Sequence, residues 1–176
     1  YNAENNTKTA SYDFSKNIKS GWVDKVANIK WNIGGYDTAS VSVLDMYKAE
    51  RGTEHVDYPS DGIIRTSTWD GKIALIYPSD YGYASTDTAC RNIMSSLKNR
   101  VCNCKKENWL ANGTIYWTLS PAFENGTYVF NVDPEYGSVD DYIDSSDFGV
   151  RPALFLKSDV VIKSGTGTET DPYILD

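Results

Sequence analysis

The sequence predicts a single α+β domain, and three observations carry that expectation. Apolar residues recur at helical spacing in the amino-terminal half, and the period changes to two after Ile115. The length, 176 residues with 40% hydrophobic content, suits one sizeable core. The polar opening, residues 1–17, has no periodicity and is expected to be a flexible arm ahead of one folded domain over 18–176.

Within that domain Ile18, Trp22 and Val26 fall four apart, so a short helix is expected to lead into a strand, Asn28 to Ile33, that stops at Gly34-Gly35. Over Ser40 to Arg51 the residues Val43, Met46, Tyr47 and Glu50 share a helical face, with a serine in front and Gly52 behind as caps. Thr53 to Gly71 is rich in glycine, proline, serine and aspartate and reads as a long surface connection. Ile73 to Tyr77 is a short apolar run closed by Pro78-Ser79-Asp80, the pattern of a buried strand. Asp87 then caps the clearest helix of the sequence, in which Cys90, Ile93, Met94 and Leu97 recur at i, i+3, i+4 and i+7.

Ile115 to Leu119 and Thr127 to Val132 are strand-like and flank Asn125-Gly126, which predicts a β-hairpin. Val150 to Leu156 and Val160 to Lys163 continue as strands. The tail ends in one more, Asp171 to Leu175, expected to pair near the chain's beginning or with Val160 to Lys163. Deleting 165–176 is expected to unfold the domain, because it strips a strand from a small sheet.

Composition narrows the function classes. Lysine plus arginine total 17 against 24 acidic residues, a net charge of −7, so the phosphate attraction that dominates nucleic-acid affinity is missing and anionic membranes are poor partners. No run approaches the ~20 apolar residues of a membrane span, and the polar start lacks a signal-peptide layout, so the sequence reads as a processed or truncated piece. His55 is the single histidine, which weakens zinc-site and triad readings. A soft-metal site at Cys102-Asn103-Cys104 would have only Cys90 and His55 to complete it, so no metal or other cofactor is expected. Tyrosine reaches 13 and tryptophan 5, more than a core absorbs, so aromatic contact residues are expected on the surface.

Three cysteines leave one over after any bridge. A disulfide between Cys102 and Cys104 would be strained, so an oxidised chain would join Cys90 to one of the two, closing a loop of about 15 residues worth roughly 3 kcal/mol. Three reduced thiols are the alternative.

In order along the chain stand Ile33-Gly34-Gly35-Tyr36, Lys72 to Ala84 (KIALIYPSDYGYA), Cys104 to Leu110 (CKKENWL), Trp117 to Pro121 (WTLSP), Phe148 to Leu156 (FGVRPALFL) and the terminal SGTGTETDPYIL. This series, over roughly Trp22 to Leu175, resembles a family of surface domains of Gram-positive gut bacteria often carried behind a prepilin-type segment. Phe148-Gly149-Val150-Arg151 also resembles the closing strand of C-type-lectin-like domains of the formylglycine-generating-enzyme kind. The resemblance implies a C-type-lectin-like fold with two main helices, a small twisted, mostly antiparallel sheet and long loops. It implies structural roles for Arg151, Trp109 and Trp117, and a Cys90–Cys104 disulfide formed in an oxidising milieu, with Cys102 free.

The function so implied is a non-catalytic, extracellular, cell-surface module: the displayed domain of a pilin-like filament subunit, or an adhesin used for recognition. Its partners would be neighbouring copies in a filament or a host or cell-surface ligand, protein or glycan. The alternatives are a purely structural filament or surface-layer subunit and, remotely, a formylglycine-generating-type oxidoreductase, whose copper-holding cysteine pair Cys102 and Cys104 are too close together to match. The apolar first helix of pilins is absent from this sequence, which implies its removal or another anchor. Asp140-Asp141 and Asp57-Asp61 have the look of calcium or acid–base pairs, but with 24 acidic residues such pairs arise by chance, and the Glu-Pro-Asn and Gln-Pro-Asp signatures of calcium-dependent lectins are missing.

A binding site is expected on the loop Asp133 to Phe148 (DPEYGSVDDYIDSSDF). In C-type-lectin-like domains that segment lies on the exposed face. Its tyrosine, aspartate, serine and glycine give rigid aromatic contact area together with adaptable hydrogen bonding. Tyr136 and Tyr142 are the expected anchors, accompanied by Asp140, Asp141 and Asp144.

Overall fold

The computed structural model describes residues 14–34, 36, 41–51, 67–87, 108–122, 128–143 and 146–176. Of these, 39% are in strands and 18% are helical, in two short α-helices and four small sheets. The expectation of an α+β, C-type-lectin-like domain built on two main helices is thereby corrected to a mostly-β architecture. The helix expected from Asp87, all three cysteines with the Cys90–Cys104 pairing, the Asn125-Gly126 turn and Asp144 lie outside the described residues.

The first corrected element is the helix expected from Ile18 to Val26. Gly21 adopts a left-handed φ of +88°, which interrupts a right-handed helix, and the segment forms 3₁₀ turns at Phe14–Asn17 and Val23–Lys25 instead. Strand β1, Ile29–Ile33, follows as its alternation predicts. Its partner β2, Ser67–Gly71, comes from the stretch read as a surface connection. They pair antiparallel with Trp31 opposite Trp69, so aromatic cross-strand contact supports a strand whose other residues are polar.

Helix α1, Val43–Glu50, is capped by Ser42, whose hydroxyl accepts the Asp45 N–H at 3.0 Å and donates to the Asp45 carboxylate at 2.7 Å. Strand β3, Ile73–Leu75, is shorter than its apolar run, because helix α2, Pro78–Tyr83, begins soon after. Proline at its first position fixes a helical φ, and Asp80 reaches back to accept the Tyr77 N–H at 2.9 Å. The helices cross so closely that a Cβ on Gly82 would lie 2.4 Å from the Val43 side chain.

The largest sheet holds β4 (Tyr116–Ala122), β5 (Tyr128–Asp133), β6 (Ser138–Ile143) and β7 (Gly149–Val150), in the order β6-β5-β4-β7. The β4–β5 pair is the expected hairpin. On its inner face Tyr116, Phe130, Val132 and Val139 pack against Val43, Met46 and Tyr81 of the two helices. Burial of such side chains contributes roughly 1.5–3 kcal/mol each. On the outer face Leu119 joins Trp31, Leu75 and Tyr77, so the sheet lies between the helices and the β1–β2 ribbon.

The run expected as one strand from Val150 to Leu156 serves two sheets. β7 lies parallel to β4, and after Arg151 strand β8, Pro152–Leu154, pairs antiparallel with β3. The chain then meets its amino-terminal part, with the Ala27 N–H bonded to the Phe155 carbonyl at 2.8 Å. Strands β9, Ile162–Ser164, and β10, Ile174–Leu175, form a terminal hairpin, the second of the two pairings expected for the tail. Elsewhere, Ser85 bridges antiparallel to Asn108, whose side chain donates to the Tyr81 carbonyl at 2.7 Å.

Candidate functional site

Where β5 ends, the chain reverses tightly. The Asp133 carboxylate accepts the N–H groups of Glu135 and Tyr136 at 2.9 and 3.3 Å, and the Asp133 carbonyl accepts the Gly137 N–H at 2.8 Å. This turn satisfies its own backbone and leaves Tyr136 55% exposed. The chain returns as β6, so Ser138–Ile143 of the expected loop Asp133 to Phe148 is a strand, in register with β5 from Asp133↔Ser138 to Tyr128↔Ile143. The alternation of Val139 with its charged neighbours signals this strand, but it is masked by the aspartates and the short apolar content.

Strand geometry sorts the expected binding residues. Val139 pairs with the core residue Val132, so Asp141, two residues on, points to the core side of the sheet edge, while Asp140 and Tyr142 share the outer face. Asp140, Asp141 and Tyr142 therefore do not converge as one group. Tyr142 is 52% exposed and lies 5.5 Å from the Phe148 ring, which lies 4.6 Å from Trp117. The result is an aromatic row that runs from the half-buried Trp117 out to solvent.

Beside this row the sheet end opens into a cleft of about 500 Å³, lined by Thr114, Asp133, Glu135, Asp147 and Phe148 among others. Three carboxylates give it negative charge, and Phe148 links it to Tyr142. One wall, Gly113 to Ile115, is held by Arg151, whose guanidinium donates to the carbonyl and side-chain oxygens of Asn112 and lies 4.2 Å over the Tyr116 ring. Arg151 thus ties the cleft wall to the sheet. Trp117 packs against the second core cluster, whereas Trp109, expected to be structural, is 72% exposed.

A second cluster lies at the joint of the two helices. Glu50 and Ser79 are fully buried, and the Glu50 carboxyl receives both the Ser79 N–H and the Ser79 hydroxyl. Burial pushes the Glu50 carboxyl up to about 8, against the opposing pull of the Ser79 hydrogen bonds and the Arg51 charge. Sequence reasoning placed Glu50 on the apolar face of its helix but did not see a buried carboxyl there; its spacing with Val43 and Met46 was the available signal.

Among the described residues no group of three or more His, Cys, Asp or Glu side chains is placed to hold a metal ion, and no helix is long and apolar enough to cross a membrane. No protein-family model, curated protein or solved structure matches the chain.

Proposed function

We propose that this chain is a non-catalytic recognition module displayed on the outside of a cell, binding through the acidic, tyrosine-bearing end of its four-stranded sheet. The observation that carries this reading is the exposure of Tyr136 and Tyr142, at 55% and 52%, the first next in sequence to Glu135 and the second against Phe148, both of which line the cleft together with Asp133 and Asp147. Tyrosine offers wide contact area with few rotatable bonds, and carboxylates accept hydrogen bonds from hydroxyl, amide or ammonium donors. A protein or a glycan surface would meet both. The most strongly perturbed carboxyl among the described residues, Glu50, is enclosed with Ser79 at the joint of the two helices, where its role is structural. A structural-subunit reading draws on a different feature, the apolar carboxyl-terminal end.

The test is binding of the purified chain to three surfaces: immobilised mucin, a printed glycan array and the immobilised chain itself. Wild type is expected to bind at least one of them. The double variant Tyr136→Ala/Tyr142→Ala is expected to keep its thermal midpoint and lose at least about tenfold in affinity, about 1.4 kcal/mol. Wild-type binding to none of the three, or equal binding by the variant, contradicts the reading.

A further inference from the structure

The loop that leads into the cleft wall, Asn112 to Thr114, is exposed, and it sets an asparagine directly ahead of a glycine. Gly113 sits at φ +77°, a conformation that side chains disfavour, so glycine is the residue suited to this turn. Its N–H makes no hydrogen bond among the described residues. An unbonded main-chain nitrogen in an exposed glycine therefore follows directly on a side-chain amide.

That amide is the one on which the wall depends. Asn112 Nδ2 donates to the Trp109 carbonyl at 3.0 Å, and the side-chain and main-chain oxygens of Asn112 both accept from the Arg151 guanidinium. All three contacts lie at the surface, where water replaces a hydrogen bond at small net cost. The guanidinium also stands against the oxygen on which negative charge develops when a nucleophile adds to the amide carbon.

We infer that Asn112-Gly113 is a site of self-modification, in which Asn112 loses its amide nitrogen and the set of contacts that anchors the cleft wall is broken. The Gly113 nitrogen, its proton passed to water, attacks the side-chain carbonyl carbon of Asn112. The bond from that carbon to Nδ2 breaks, the nitrogen leaves as ammonia with a proton returned by water, and a five-membered imide closes. Water then adds to one of the two imide carbonyls. Breaking the bond between the side-chain carbon and the Gly113 nitrogen gives aspartate; breaking the main-chain bond instead gives isoaspartate. Along either branch an amide and water become a carboxylate and ammonium.

Aspartate sets a carboxylate oxygen against the Trp109 carbonyl where Nδ2 donated at 3.0 Å, and two acceptors at that distance repel. Isoaspartate routes the main chain through the side-chain carbon and lengthens it by one atom, so the wall shifts relative to Arg151. The Ile115 carbonyl, bonded to the Gly149 N–H at 2.9 Å, bounds the change on the sheet side.

Peptide mapping of wild type incubated in mildly alkaline buffer, folded and in urea, tests the chemistry. The folded chain is expected to gain one mass unit at Asn112, as aspartate and isoaspartate, at no less than about a tenth of the rate of the denatured chain, a barrier difference of at most ~1.4 kcal/mol. Asn112→Gln, which would have to close a six-membered ring, is expected to keep its mass. Asn112 left intact or converted more slowly than that in the folded chain overturns the inference, as does Asn112→Gln converting at the wild-type rate. The converted protein carries one more negative charge and is separated by ion exchange. Its amide resonances are expected to move over residues 109–115 relative to unconverted wild type; resonances unmoved there overturn the release of the wall. Mass and chemical shift are read without any ligand, so their outcome leaves the recognition reading to its own test.

Discussion

The Glu50 carboxyl, on the last residue of α1, accepts the Ser79 N–H at 3.0 Å in the first turn of α2. One helix therefore supplies the amino-terminal cap of the next, satisfying a donor that α2 cannot satisfy for itself. Arg51 reinforces the joint from outside, paired with Asp80 at 2.9 Å and lying 3.9 Å over the Tyr77 ring.

This joint makes stability depend on pH in a stated direction. The Glu50 value in the folded chain, about 8, lies above its ordinary 4.5, so the folded state holds the proton more tightly. That contribution is complete below about 4.5 and is lost as pH rises towards 8, with a slope of at most roughly 1.4 kcal/mol per pH unit. Glu50→Gln keeps a neutral hydrogen-bonding group there. Its thermal midpoint, relative to wild type, is expected to rise steadily between pH 5 and pH 8; parallel midpoint profiles for the two proteins would refute the coupling.

Gly82→Ala tests the crossing of the two helices. The added methyl group would meet Val43 at 2.4 Å in a fully buried position, and overpacking of this kind costs about 1–3 kcal/mol. Chemical denaturation is expected to show that loss, with Val43→Ala recovering part of it in the double variant. Strictly additive effects would mean that the two residues do not oppose each other.

Deletion of 165–176 is expected to leave the thermal midpoint within a few degrees. That reverses the sequence expectation of unfolding, because β10 pairs with β9 and with no other described strand, and Ile174 keeps 56% of its surface in solvent. A midpoint lowered by more than ten degrees would show that the hairpin supports the core after all.

What could be read from the sequence followed apolar alternation. The β4–β5 hairpin, β1 and α1 stand close to where their patterns put them, since Trp31, Phe130 and Met46 are buried at the positions that periodicity assigns. β2 and β6 escaped because their residues are mostly polar: Trp31 opposite Trp69 supports one, and pairing with the whole of β5 supports the other. At the candidate site, the tyrosine-rich composition singled out Asp133 to Phe148, and Tyr136 and Tyr142 are exposed there. The strand placed Asp141 on the other side, however, and the cleft wall held by Arg151 depends on Asn112, 39 positions away.

The bridge between Ser85 and Asn108 has an evolutionary consequence. The backbone pair holds positions 85 and 108 side by side although 22 residues separate them in the sequence. The entropic cost of closing such a span grows only as the logarithm of its length, about 0.6 kcal/mol for each doubling. The entropic cost of holding these two positions together therefore varies little with the number of residues that join them, so descendants of the chain can change that number at small cost to the bridge itself.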